Sequence, residues 1–199
     1  MDRSTVPGVR ENTALKTLGI DPGSSVTGWG LIDGSASRPR LIECGQLRLP
    51  AGAAFHTRLL ELRRGIDELL VRLRPETAAV EWPFHGVNAR SALQLAHARG
   101  VLLCSLAEHG IEPDEYAPAT IKKAVTGSGR ADKVQVRTMV LRLLSASGEQ
   151  VRGSDAADAL AVALCHQQSC RHPAAGTTPS RRGPRTWEAL VAEREGRRP

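Results

Sequence analysis

Leu18-Gly19-Ile20-Asp21-Pro22-Gly23-Ser24 reads as an apolar strand that ends in a carboxylate and passes directly into a Pro-Gly turn. An acid in that position stands outside the core, where Gly23 gives the backbone room for a ligand and where charge serves chemistry more often than packing. Asp-Pro-Gly is also a good turn sequence in its own right, so the meaning of Asp21 depends on what else the fold brings to it. Working outward, alternation and turn residues predict strands at 17–21, 26–33 and 41–49, a three-stranded antiparallel meander. Residues 54–73 then place Leu59, Leu62, Ile66, Leu69, Leu70 and Leu73 at helical spacing, and Pro75 closes the helix. A short buried-type strand at 77–81 ends in Glu81, and a helix at 88–109 stops at Gly110. Strand, helix, strand in that order implies a parallel pair.

The remainder predicts a fifth strand at 111–117 and helices at 118–125, 131–144 and 154–169. A meander followed by alternating helices and strands gives an α/β fold with a mixed five-stranded sheet flanked by helices, an order that resembles the ribonuclease H-like fold. The helix at 88–109 carries apolar residues on two sides, Leu95, Leu102 and Leu103 on one and Leu93, Val101 and Cys104 on the other. It therefore asks for two partners, one of them a second subunit.

Length bounds this reading to one full-sized domain. We expect a flexible leader over 1–15, the folded domain over 16–170 and a flexible basic tail over 171–199, in which Trp187, Leu190 and Val191 share a short helical face. The first sixteen residues hold no apolar run and no stretch reaches membrane-spanning length, so the expected location is the cytoplasm. Cys44, Cys104, Cys165 and Cys170 form no CxxC pair and read as reduced thiols, and their spacing with His166 and His172 fits no zinc pattern.

The net charge of +6 must be located before it is used. From Arg171 onward seven Arg oppose three Glu, which leaves only +2 for the body of the chain. The local signal is stronger. Lys122, Lys123, Arg130, Lys133, Arg137 and Arg142 face a single Asp132 between residues 120 and 142. A solvated helix face normally interleaves acids with its bases, so this stretch reads as a phosphate-facing surface.

Two carboxylates, Asp21 and Glu81, end strands that should be neighbours. Ser154-Asp155-Ala156-Ala157-Asp158 adds a helix start, with Ser154 as its expected cap and both Asp side chains on one face by their i, i+3 spacing. The helix dipole explains Asp155 in a first turn, but Asp158 lies in an Ala, Leu and Val helix where an acid needs a partner. A cation meets that need. All-oxygen donor sets suit Mg²⁺ or Mn²⁺, and two such ions about 3.5–4 Å apart are the usual clamp for in-line phosphodiester hydrolysis.

With these residues assembled, Leu18 to Ser24, Val26-Thr27-Gly28-Trp29-Gly30, Glu81 with Phe84 and Asn88, Ala98-Arg99-Gly100 and Asp155-Ala-Ala-Asp-Ala-Leu-Ala together resemble the RuvC family of bacterial Holliday junction resolvases, over about 18–166. The resemblance implies that Asp21, Glu81, Asp155 and Asp158 are the catalytic, metal-binding acids and that Lys122 and Lys133 contact DNA or assist catalysis. It implies a homodimer that nicks opposed strands of a four-way junction, leaves 5′-phosphate and 3′-hydroxyl ends, prefers a short core sequence, and works with the branch-migration proteins RuvA and RuvB. Phe84, in a loop kept out of the sheet by Pro83 and Gly86, is expected to stack on or wedge into an unpaired base. One departure stands out: the residue after the catalytic Glu is commonly Gln in the family, whereas Trp82 and Pro83 stand here. His85, His97 and His166 read as packing or surface histidines. Two competitors are weaker. A sugar-kinase-like ATPase needs a second, duplicated domain that this length does not hold, and an inactive junction binder has no need of four intact acids.

Overall fold

The computed structural model describes residues 15–82 and 88–171. The elements run in the order β1 (Thr17–Asp21), β2 (Val26–Ser35), β3 (Arg38–Arg48), α1 (Phe55–Leu73), β4 (Thr77–Glu81), α2 (Ala89–Glu108), β5 (Asp114–Tyr116), α3 (Pro118–Thr126), α4 (Lys133–Leu143) and α5 (Ser154–Arg171). The strands form one sheet in the order β3-β2-β1-β4-β5. β1 pairs antiparallel with β2 and β2 with β3, whereas β4 runs parallel to β1 and to β5. Both the meander and the parallel crossover expected from the sequence are present.

Two cores cover the two faces. On one, α1 and α2 lay Leu62, Ile66, Leu70, Leu102 and Leu106 on Leu18, Ile20, Leu31 and Val80. On the other, α5 runs across the sheet, and α3 and α4 pack around it through Ile121, Val125, Val136, Val140 and Leu160. The second face has an unusual closeness. A Cβ on Gly19 would lie 2.1 Å from the Ala159 carbonyl oxygen, and one on Gly28 would lie 2.0 Å from that of Asp155. Strand residues without side chains thus meet a helix rich in alanine almost backbone to backbone, which sets the height of α5 above the sheet.

Helix and strand ends follow local chemistry. Asn88 caps α2 by accepting from the Arg90 and Ser91 amides. Asp132 and Gln135 form a reciprocal capping box, so α4 begins at Lys133, two residues later than periodicity suggested. The β2–β3 hairpin is longer than expected and closes through Ala36 and Ser37, with Asp33 and Arg40 paired across it. β5 shrinks to three residues because Pro113, just before it, has no amide to donate. Ser154 is the first helical residue of α5 rather than its cap; Gly153 precedes it with φ +87°.

Among the described residues no helix is long and apolar enough to cross a membrane. Phe84, His85 and Pro83, the leader up to residue 14 and the tail from residue 172, including Trp187, lie outside the described residues.

Candidate active site

Parallel pairing of β1 with β4 aligns Ile20 with Val80, so the next residues, Asp21 and Glu81, leave the sheet side by side. The turn after Asp21 is tied back, since the Gly23 amide donates to Thr27 Oγ1 at 3.3 Å and that hydroxyl donates to the Gly23 carbonyl at 3.2 Å. α5 enters over the same sheet end and brings Asp158. Asp21, Glu81 and Asp158 line one pocket of about 180 Å³ with Lys122 and Lys133, walled by Pro118, Ile121 and Val136. The acids are half-buried and face each other.

Their electrostatics record that crowding. Burial, then the charges of Glu81, Asp158 and Asp155, push the Asp21 carboxyl up to about 8, and only Lys133 pulls it down. Glu81 is raised by burial and by Asp158, against Lys133 and Lys122. Asp158 is raised by burial and by Asp155, against Lys133, whose Nζ lies 3.7 Å from its Oδ2. Burial and mutual repulsion raise all three neighbours, and perturbation of this kind gathers where chemistry is done. Among the described residues no group of three or more His, Cys, Asp or Glu side chains closes on a single ion as it stands. The acids converge without forming a finished cage, as expected where like charges face each other with only lysines between them.

Asp155 stands slightly apart. It does not line the pocket, although its charge reaches both Asp21 and Asp158. Its Oδ2 accepts a hydrogen bond from Gln46 Nε2 at 2.5 Å, and Gln46 Oε1 accepts from Arg48 Nη2 at 2.6 Å. Neither Gln46 nor Arg48 was singled out by sequence reasoning. The signal is faint: β2–β3 register sets Gln46 beside Gly28, the residue over which Asp155 lies.

The basic residues separate into three roles. Lys122 and Lys133 line the pocket, and Lys123, on α3, and Arg130, in the loop before α4, are exposed. Arg137, half-buried, donates to the Val151 carbonyl at 2.8 Å and the Gly153 carbonyl at 3.0 Å. Its guanidinium holds the loop that leads into α5, because that loop leaves two carbonyls in reach of α4. Trp82 is half-exposed next to Glu81; its amide donates to the Tyr116 carbonyl at 2.8 Å, and the Arg99 guanidinium, paired with Glu115, lies 4.6 Å from the centre of its ring. His166 is buried far along α5 and bridges Thr77 Oγ1 and the Tyr116 hydroxyl, each at 3.0 Å, so it packs rather than lines the acids.

Residues 17–166 match the sequence model of the family described as Crossover junction endodeoxyribonuclease RuvC. A protein of that name from Chloroflexus aurantiacus is 47% identical over 152 residues, covering 76% of this chain and 92% of the relative. One from Halorhodospira halophila is 48% identical over 172 residues, covering 84% of this chain and 99% of the relative. Among solved structures, T. thermophilus RuvC in complex with Holliday junction substrate superposes with a TM-score of 0.74 at 32% identity, over 79% of this chain and 95% of that one. The yeast mitochondrial Holliday junction resolvase, at 14% identity and a TM-score of 0.60 over 83% of each chain, shares the fold. The mixed sheet order, the acids at the ends of β1 and β4 and on α5, and these likenesses lead to one assignment: the chain belongs to the RuvC family of crossover junction endodeoxyribonucleases.

Proposed function

We propose that this protein resolves four-way DNA junctions by paired, symmetric nicks, as a divalent-metal-dependent phosphodiesterase whose working acids are Asp21, Glu81, Asp155 and Asp158. The observation that carries the reading is the convergence of Asp21, Glu81 and Asp158 on one pocket with Lys122 and Lys133. The donor set fits the group: carboxylates are the ligands of hard cations, and burial together with three neighbouring acids raises the Asp21 carboxyl, a cost that a bound cation would offset. Two Mg²⁺ or Mn²⁺ ions, when bound, supply an activated water and stabilise the leaving 3′ oxygen.

The protein's own groups do the rest. Asp21 and Glu81 stand on rigid strand ends and Asp158 on a helix clamped to the sheet, so the acids are held by backbone rather than by loops. Lys133, beside Asp158, and Lys122, on α3, both line the pocket, where they would meet the scissile phosphate. Lys123 and Arg130 hold flanking backbone, and Phe84 stacks on an unpaired base near the branch. Arg137 serves the site by holding the entry to α5. A second copy docks on the outer face of α2, where Leu93 is 61% exposed and opens with Leu59, Val101 and Cys104 onto an apolar groove. Action in the cytoplasm beside RuvA and RuvB rests on family membership alone.

The test is cleavage of a labelled four-way junction and a matched linear duplex, with Mg²⁺ or Mn²⁺ and with chelator. Paired nicks in the junction alone, abolished by chelator and by Asp21→Asn with binding retained, are the expected result. Equal cutting of the duplex overturns junction selectivity, and an active Asp21→Asn overturns the metal site. Sedimentation at micromolar concentration should show a dimer.

A further inference from the structure

Asp155 differs from the other acids in having a neutral donor rather than a lysine beside it. Gln46 reaches it from β3, the neighbour of the strand that carries Gly28, and three features build that contact. Gly28 has no side chain, so the Asp155 backbone lies directly on the sheet within reach of the Gln46 amide. Gly153, at φ +87°, leaves the space that the amide fills, since a Cβ there would lie 2.4 Å from Gln46 Nε2. Arg48 sets the direction. A guanidinium only donates, so the amide oxygen must face Arg48 Nη2 at 2.6 Å and the NH₂ must face Asp155 Oδ2 at 2.5 Å.

We propose that Gln46, turned by Arg48, is a positioning residue of the metal site: it holds one oxygen of Asp155 and so leaves the other to meet an ion at a fixed angle. The inference rests on the metal-site reading above. Groups that orient a ligand in this way commonly govern about 10- to 100-fold in metal affinity. Without the amide, Asp155 loses its anchor on β3 and rotates with the first turn of α5.

The test is titration of DNA-free protein with Mn²⁺, with free ion followed by paramagnetic resonance, together with the Mn²⁺ concentration for half-maximal junction cleavage. Gln46→Met keeps the side-chain volume but removes the donor, so it should weaken Mn²⁺ binding and raise the half-maximal concentration by about 10-fold or more. Arg48→Met, which frees the amide to turn over, should move both readouts the same way by a smaller factor, and it stands in if Gln46→Met does not fold. Wild-type Mn²⁺ affinity in Gln46→Met, or in Arg48→Met if that variant must stand in, overturns the proposal. Asp155→Asn separates the two levels: if it leaves Mn²⁺ binding unchanged, the metal-site reading itself fails, whereas weak binding in Asp155→Asn beside normal binding in Gln46→Met rejects only the role of Gln46.

Discussion

Folding stability of the metal-free protein should fall as pH rises, and Asp21 should be a principal cause. In the native state its carboxyl is pushed up to about 8, first by burial and then by Glu81, Asp158 and Asp155. In the unfolded chain it ionises near about 4. Between those values the native state keeps a proton that the unfolded state has released, so stability is lost through this window and levels off above it. Each pH unit is worth at most about 1.4 kcal/mol, which sets a ceiling of about 4 kcal/mol from pH 5 to pH 8. Movement of Lys133 and entry of water bring the observable figure to about 1–3 kcal/mol. Asp21→Asn keeps the shape and removes the titration. Denaturant unfolding with chelator at pH 5 and pH 8 should therefore show wild type losing more stability than the variant by that amount. Glu81 and Asp158, raised, and His166, lowered by burial, titrate in both proteins, so the difference reports Asp21 together with its coupling to the neighbouring acids. Added Mg²⁺ or Mn²⁺ should restore wild type at pH 8 and help the variant less. Parallel pH dependence in the two proteins would refute the account of a proton held by a crowded acid.

Gly28→Ala drives a methyl group against the Asp155 carbonyl and lifts the start of α5; overpacking of this kind costs about 1–3 kcal/mol, and thermal unfolding should show a lower midpoint together with loss of cleavage. Arg137→Ala removes two hydrogen bonds from the loop before α5, about 1–3 kcal/mol, and should reduce stability and cleavage while leaving the salt dependence of junction binding near that of wild type. Lys123→Ala and Arg130→Ala should do the reverse, with unchanged unfolding and a binding slope against log salt that is shallower by about 0.7–0.9 for each lost phosphate contact. Asp132→Ala breaks the capping box that starts α4 next to Lys133 and should cost about 1 kcal/mol in denaturant unfolding, without abolishing activity.

The elements were readable because their signals are local. Leucines at helical spacing between residues 59 and 73, Gly110 after a helix and Pro75 before a strand act through neighbours in the chain, so β1, β4 and α1 fall where periodicity puts them. Where a second local signal competes with periodicity the boundary differs: the Asp132–Gln135 box starts α4 at Lys133, and Pro113 shortens β5. The acids at strand ends and at i, i+3 on a helix could be nominated for the same reason. Their convergence depended on one topological inference, the parallel crossover between β1 and β4, which the sheet contains.

By itself, the amino-acid sequence determined the element order, the four acids and the basic stretch, because hydrophobic period, turn chemistry and charge are properties of neighbouring residues. Tertiary structure alone decided which bases remain open and what steadies each acid. Arg137 was indistinguishable from Lys133 as a charge in a run, yet it holds two carbonyls before α5 while Lys133 lines the pocket. Gln46 lies 109 positions from Asp155, and the two meet only because Gly28 lets α5 settle on the sheet. A contact over that distance is set by the closeness of helix and sheet, which is a property of the packed whole and has no local signature in the chain.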